Sequence, residues 1–266
     1  MESQKIAAAT RPDDLAEVLH QFHTITLEEI KAVKLMSRVD QKYIIPRQRL
    51  PELLDALSGC YHLQTIADDP IADYHTLYFD TEDLEMYTVH HNKKLQRQKL
   101  RVRCYRSTQT TFFEVKNKNN RGRTNKTRIV VPPTEFYDCM ANEAVRDFLA
   151  HSSSYTPERL LPQLENQFQR LTLANYGMTE RVTIDLDIRY HNHQTLRDGD
   201  LCQVVVIEVK YDSGSLHSDI KDQLNDMRLL PRRMSKYCIG TVLTNPAAKY
   251  NRFKDKLRYI EKMGRR

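Results

Sequence analysis

The stretch Leu100-Arg101-Val102-Arg103-Cys104, with Phe113-Glu114-Val115-Lys116 shortly after it, decides the fold. Apolar and charged residues alternate strictly in both pieces. Period two is the signature of a strand, because successive side chains point to opposite faces of a sheet. Similar patterns predict strands over 38–45, 73–80, 98–106, 111–118, 126–131, 166–174, 181–190, 203–211 and 236–244. The loop from Asn119 to Arg123 is short enough to join two of them as an antiparallel hairpin. Helical spacing of apolar residues, with Pro12 and Pro46 as first-turn residues, predicts helices over 13–22 and 46–57. Further helices are expected at 134–150, 216–229 and 246–262.

Sorting each strand by parity separates two kinds of side chain. One face carries Asp40, Lys42, Arg101, Arg103, Glu114, Lys116, Lys118, Lys126, Arg128, Arg170, Arg181, Asp185, Asp187, Glu208, Lys210 and Lys236. The other carries Leu100, Val102, Phe113, Val115, Val182, Ile184, Ile207, Val209 and their like. An ordinary solvated face mixes uncharged polar residues with both charge signs, whereas here Lys and Arg dominate. The chain's whole excess of base, +6 at pH 7, belongs in large part to this one face. Such a surface repels itself unless an anion occupies it. A closed sheet with helices outside places it in an interior tunnel, where charges act more strongly than in water. The expected architecture is α+β: an antiparallel eight- or nine-stranded β tunnel (barrel) with surrounding helices. A row of phosphates is its natural guest, gripped bidentately by Arg and as point charges by Lys.

Composition narrows the alternatives. Five scattered cysteines without a Cys-x-x-Cys pair argue against a disulfide framework or zinc ribbon. None of the seven glycines begins a Walker-type or dinucleotide-binding turn, so phosphate binding must use side chains. No apolar run approaches the roughly 20 residues of a membrane span. With no secretory pattern at the amino terminus, a cytoplasmic location is the default expectation. Nucleic-acid binding normally adds exposed aromatics for stacking, and Trp is absent. His90-His91 and His191-x-His193 lack a third ligand nearby and read as solvated turns rather than metal pairs.

The ordered series Arg38-Val39-Asp40-Gln41-Lys42-Tyr43, Tyr78-Phe79-Asp80-Thr81, Arg101-Val102-Arg103, Phe113-Glu114-Val115-Lys116, Lys126-Thr127-Arg128, Phe168-Gln169-Arg170, Arg181-Val182-Thr183-Ile184-Asp185, Ile207-Glu208-Val209-Lys210 and Ser235-Lys236-Tyr237 resembles the VTC-type polyphosphate polymerase domain of the triphosphate tunnel metalloenzymes. The resemblance implies a tunnel domain over 24–244, between a helical segment at 1–23 and a basic helix at 245–266. It further implies that Lys42, Arg101, Arg103, Lys116, Lys126, Arg128, Arg170, Arg181, Lys210 and Lys236 contact phosphates of ATP or inorganic polyphosphate. Glu208 would hold Mg²⁺ or Mn²⁺. Arg101, Arg103, Lys116, Arg181 and Glu208 are the expected catalytic set. The implied reaction is transfer of the ATP γ-phosphate to a growing polyphosphate chain, with no nucleic acid involved. The alternatives are an inorganic or nucleoside triphosphatase on the same tunnel, or a non-catalytic polyphosphate-binding module.

Two positions depart from the wider pattern. Arg38-x-Asp40-x-Lys42 stands where the superfamily has Glu-x-Glu-x-Lys, removing one carboxylate from the first strand. Phe168 stands where the polymerase branch often has Tyr.

Overall fold

The computed structural model describes residues 13–31, 33, 38–212 and 217–265. Among them eleven strands run in the order β1 (His23–Thr26), β2 (Arg38–Pro46), β3 (Tyr61–Thr65), β4 (Ala72–Asp80), β5 (Arg97–Tyr105), β6 (Thr110–Lys118), β7 (Thr124–Val131), β8 (Leu161–Asn175), β9 (Glu180–Asn192), β10 (Arg197–Asp200) and β11 (Val204–Asp212). The helices are α1 (Asp13–Leu19), α2 (Leu27–Ile30), α3 (Leu50–Leu57), α4 (Glu85–His91), α5 (Glu143–Ser152), α6 (Asp219–Asp226), α7 (Lys236–Thr244) and α8 (Lys254–Gly264).

Eight strands form one continuous wall in the order β2-β11-β9-β8-β4-β5-β6-β7, antiparallel at every step. The short strands β1, β3 and β10 attach beside β8 and β9, with β1 parallel to β3. The wall curls. In a flat sheet Lys116 of β6 and Lys42 of β2 would stand six strand spacings apart, roughly 29 Å. Yet the Lys116 ammonium feels the charges of both Lys42 and Glu208, which requires the two ends of the wall to face one another. Among the described residues β2 and β7 are not paired to each other, so backbone hydrogen bonds do not close the tunnel.

The apolar faces point outward under the helices. Leu100, Val102, Phe113 and Val115 are fully buried against Val145 and Leu149 of α5. Val182, Ile184, Ile207 and Val209 join Leu53, Leu54 and Leu57 of α3 in the main core. At roughly 1.5–3 kcal/mol per buried large side chain, these layers hold the wall. Their burial leaves the charged face no direction but inward.

Residues 236–244 are helical, not the predicted ninth strand. The run Lys236–Thr244 carries the β-branched Ile239, Thr241, Val242 and Thr244, but it is buried on most sides, and a buried helix shows no clear period. Ser235 caps it by accepting from the Cys238 amide at 3.3 Å. Thr241 and Thr244 direct their hydroxyls to the carbonyls of Tyr237 and Gly240, both at 2.8 Å, so the helix satisfies its own polar groups. Gly240 lets α7 lie directly on Tyr190 and Leu164, which sit on the inward side of β9 and β8. The helix therefore fills part of one end of the tunnel. Alternation and spacing do not predict the short β1, β3, β10 or α2; the remaining elements differ mainly in their bounds. The predicted 134–150 helix becomes α5 with two preceding 3₁₀ turns, and α4 replaces the turn expected at His90-His91.

Candidate functional site

Three carboxylates organise the inward face, Glu114 and Asp185 buried and Glu208 half-buried, and each one pins two bases. Glu114 of β6 is 1% exposed. Its Oε2 accepts from Arg101 Nε at 2.7 Å and its Oε1 from Lys126 Nζ at 2.9 Å. Burial alone would raise the Glu114 pKa, but Arg101, Arg103 and Lys126 outweigh it and hold the carboxyl at about 2.

On the facing wall, Asp185 of β9 accepts a fork from Arg170, Nε to Oδ1 at 2.6 Å and Nη2 to Oδ2 at 2.9 Å. Lys236, the first residue of α7, pairs with the same carboxylate. Glu208 of β11 is the third anchor, with Lys42 Nζ at 2.8 Å from Oε1 and Lys210 Nζ at 3.0 Å from Oε2. Burial opposes ionisation of both acids, yet their basic neighbours keep them well below the usual carboxylate range. These acids set the positions of the bases without neutralising the belt.

Lys116 projects between the two walls. It keeps contact with solvent, but surrounding protein and the charges of Lys99 and Arg101 lower its pKa to about 8. Lys236 is likewise lowered to about 8, by burial and by Arg170, against the pull of Asp185. Arg103 donates to Thr76 Oγ1 at 3.0 Å and lies 5.4 Å from the Tyr74 ring.

Phe168 explains what its missing hydroxyl gives up and what the ring provides. It stacks on Tyr74 at 5.0 Å and carries Lys236, Arg170 and Arg103 at 4.2, 5.3 and 5.7 Å from its centroid. An aromatic face in this position steadies three cations through its quadrupole.

Among the predicted phosphate contacts, Lys42, Arg101, Arg103, Lys116, Lys126, Arg170, Lys210 and Lys236 line this belt. Arg181 lies farther along β9, opposite Lys210. Arg128 is in register with Glu114, but its guanidinium sits over Phe112 at 4.1 Å on the exposed edge strand. Asp187 does not accompany Asp185: it occupies a bulge with φ of 50° and pairs with Arg47 at 2.9 Å.

Parity also points to Lys99, which sequence sorting passed over although it stands two residues before Arg101. Its ammonium donates to Ser235 Oγ at 2.7 Å. Tyr78 is a further addition. Burial works to raise its phenol pKa, but Arg101, Arg103 and Lys99 bring it down to about 8. No charge pattern marks that residue in the sequence. The first histidine pair is not a solvated turn, His91 being 1% exposed on α4; of the second, the His191 side chain stays 41% exposed near the end of β9, and His193, in the turn that follows, has Nε2 3.2 Å from Glu165.

A curled antiparallel wall with a basic inner belt and apolar outer faces is the architecture of a triphosphate tunnel, an enzyme-type fold. The family model described as the VTC domain matches residues 37–245, and the chain belongs to that family. No curated protein matches it in sequence. Among solved structures it is similar to a Hippeastrum protein described as an adenylyl cyclase candidate with a dominant triphosphatase activity. That pair shares 14% identity over 78% of this chain and 96% of the other, with a TM-score of 0.49. An adenylate cyclase candidate from Vibrio parahaemolyticus shares 10% identity over 77% and 99%, with a TM-score of 0.45. No helix among the described residues is long and apolar enough to cross a membrane.

The family implies a divalent metal, and the donor set fits one in a particular way. Among the described residues no three His, Cys, Asp or Glu side chains form a cage. Glu208 is ionised and offers hard oxygen donors. A Mg²⁺- or Mn²⁺-type ion commonly takes one or two carboxylates and completes its shell with phosphate oxygens and water.

Proposed function

We propose that this protein is a polyphosphate polymerase that transfers the γ-phosphate of ATP to the end of an inorganic polyphosphate chain. The observation that supports it most directly is the belt itself, in which each of three carboxylates aligns two bases while further bases remain in surplus. A triphosphate alone carries about four negative charges, fewer than the belt can meet, and a longer chain uses the remainder.

Phosphoryl transfer asks little covalent chemistry of a protein and much positioning. Arg101, Arg103 and Lys116 align the triphosphate, while Arg170, Lys210 and Lys236, with Arg181 opposite Lys210, hold the acceptor chain. The terminal phosphate oxygen of that chain attacks in line, the bond from the γ-phosphorus to the bridging oxygen breaks, and ADP leaves. No side chain serves as nucleophile. Glu208 would hold the divalent ion, which when bound supplies charge neutralisation at the phosphoryl oxygens.

Incubation with ATP and Mn²⁺, resolved on a polyacrylamide gel, tests the reading. Long chains support it; orthophosphate alone assigns a triphosphatase, and no product at all assigns a binding module.

A further inference from the structure

The pairing of acids with bases runs out toward one end of the tunnel. Along β5 the inward side chains are Arg103, Arg101, Lys99 and Arg97; along β6 they are Glu114, Lys116 and Lys118. Lys99 stands opposite Lys116, and Arg97 opposite Lys118. Arg101 has Glu114, whereas among the described residues Lys99 donates to the Ser235 hydroxyl and meets no carboxylate, and Arg97 Nη1 donates to the Lys94 carbonyl at 2.7 Å.

Beyond them opens a cleft of about 650 Å³, lined by Arg97, Lys118 and Arg123 among others. The one carboxylate on its wall, Glu85, is taken by Arg159 at 3.0 Å. Its floor is braced on the outward parity of β5 and β6, where Gln98 donates to Asn117 at 2.5 Å and accepts from Ser153 and Ser154 at 2.9 and 3.0 Å. At this same end α7 lies over β8 and β9, and its cap Ser235 meets Lys99, two residues from Arg97.

We infer that this cleft is the station through which the polyphosphate chain passes beyond the tunnel, held by Arg97, Lys118 and Arg123. The inference rests on the polymerase reading and adds to it a direction. The belt would grip the reacting phosphates, and the cleft would hold a segment that a triphosphate is too short to reach. Arg97 and Lys118 are each lowered in pKa by burial, and both by the charge of Arg233, a repulsion that a polyanion relieves. Inorganic polyphosphate suits the cleft better than nucleic acid, because its aromatic wall residue, Tyr155, is 9% exposed and offers no open face for a base.

The test compares tripolyphosphate with polyphosphate of several tens of units, titrated into the wild type and into a variant with Arg97→Gln, Lys118→Gln and Arg123→Gln. The expected result is a loss of about tenfold in affinity for the long chain, with a shallower salt dependence, and tripolyphosphate affinity within about twofold of wild type. A second variant with Arg97→Lys, Lys118→Arg and Arg123→Lys should recover long-chain binding. Equal losses for both lengths, or none for either, would overturn the station. A single-stranded oligonucleotide that binds as tightly and suffers the same loss would overturn it in favour of nucleic acid. If the wild type extends chains on the gel while the variant binds long chains unchanged, only the station fails. If the wild type binds no polyphosphate of either length, the polymerase reading fails with it.

Discussion

Arg170 of β8 and Asp185 of β9 face each other across one rung of the wall and meet through two parallel hydrogen bonds, at 2.6 and 2.9 Å. Asp185 is buried and Arg170 nearly so, and Lys236 reaches the same carboxylate from α7, so one acid ties a helix inside the tunnel to the wall around it. Removing the acid strands two cations. Asp185→Asn should lower stability by about 3 kcal/mol, read as a shift in the urea midpoint at constant slope. An unchanged midpoint would show that the triad contributes nothing to folding.

Glu208→Gln separates metal use from charge. The variant loses an anion that now holds Lys42 and Lys210, so the tunnel becomes more cationic. Metal-dependent turnover should fall by about a hundredfold, while tripolyphosphate affinity measured in chelator stays at or above the wild-type value. Wild-type turnover in this variant would remove Glu208 from the active centre.

The two lysines at about 8 give binding a pH profile. At pH 7 Lys116 and Lys236 are mostly charged; both lose their protons as the pH rises through about 8, so polyanion affinity should drop between pH 7 and 9. Stability has the opposite sign. The unfolded chain keeps these protons up to the ordinary lysine value of 10.5, so it binds more protons than the folded state between about 8 and 10.5, and this contribution favours folding as pH rises through that window. Lys116→Arg should flatten the calorimetric affinity profile. A profile equally steep in that variant would assign the titration to another group.

Gly240 is required by contact rather than by backbone conformation. A Cβ there would stand 2.7 Å from Leu164 and closer still to Tyr190. Gly240→Ala should therefore destabilise by about 1–3 kcal/mol, despite alanine's better helix propensity, and a thermal melt no lower than wild type would show that α7 does not sit on those residues.

Much of this was legible in alternation. Leu100-Arg101-Val102-Arg103 could be assigned to strand and sorted into faces because each buried residue has a charged neighbour pointing the other way. The same logic placed Glu114, Asp185 and Glu208 among their bases. It failed at α7, where burial on most sides erases the period that distinguishes helix from strand. It also failed at Asp187, since a bulge shifts the register by one residue without any mark in composition. Tyr78 could not be found by charge, being remarkable only for three cations that other strands bring to it.

Among the described residues the outer edges of β2 and β7 are unpaired, and this bears on how the molecule responds to its medium. A barrel sealed by a complete ladder has its girth fixed by backbone geometry, which salt barely touches. Here the wall is a clasp, and the side chains that face one another across it are ionic. Ionic strength thus acts on the calibre of the bore as well as on the grip of what lies within it.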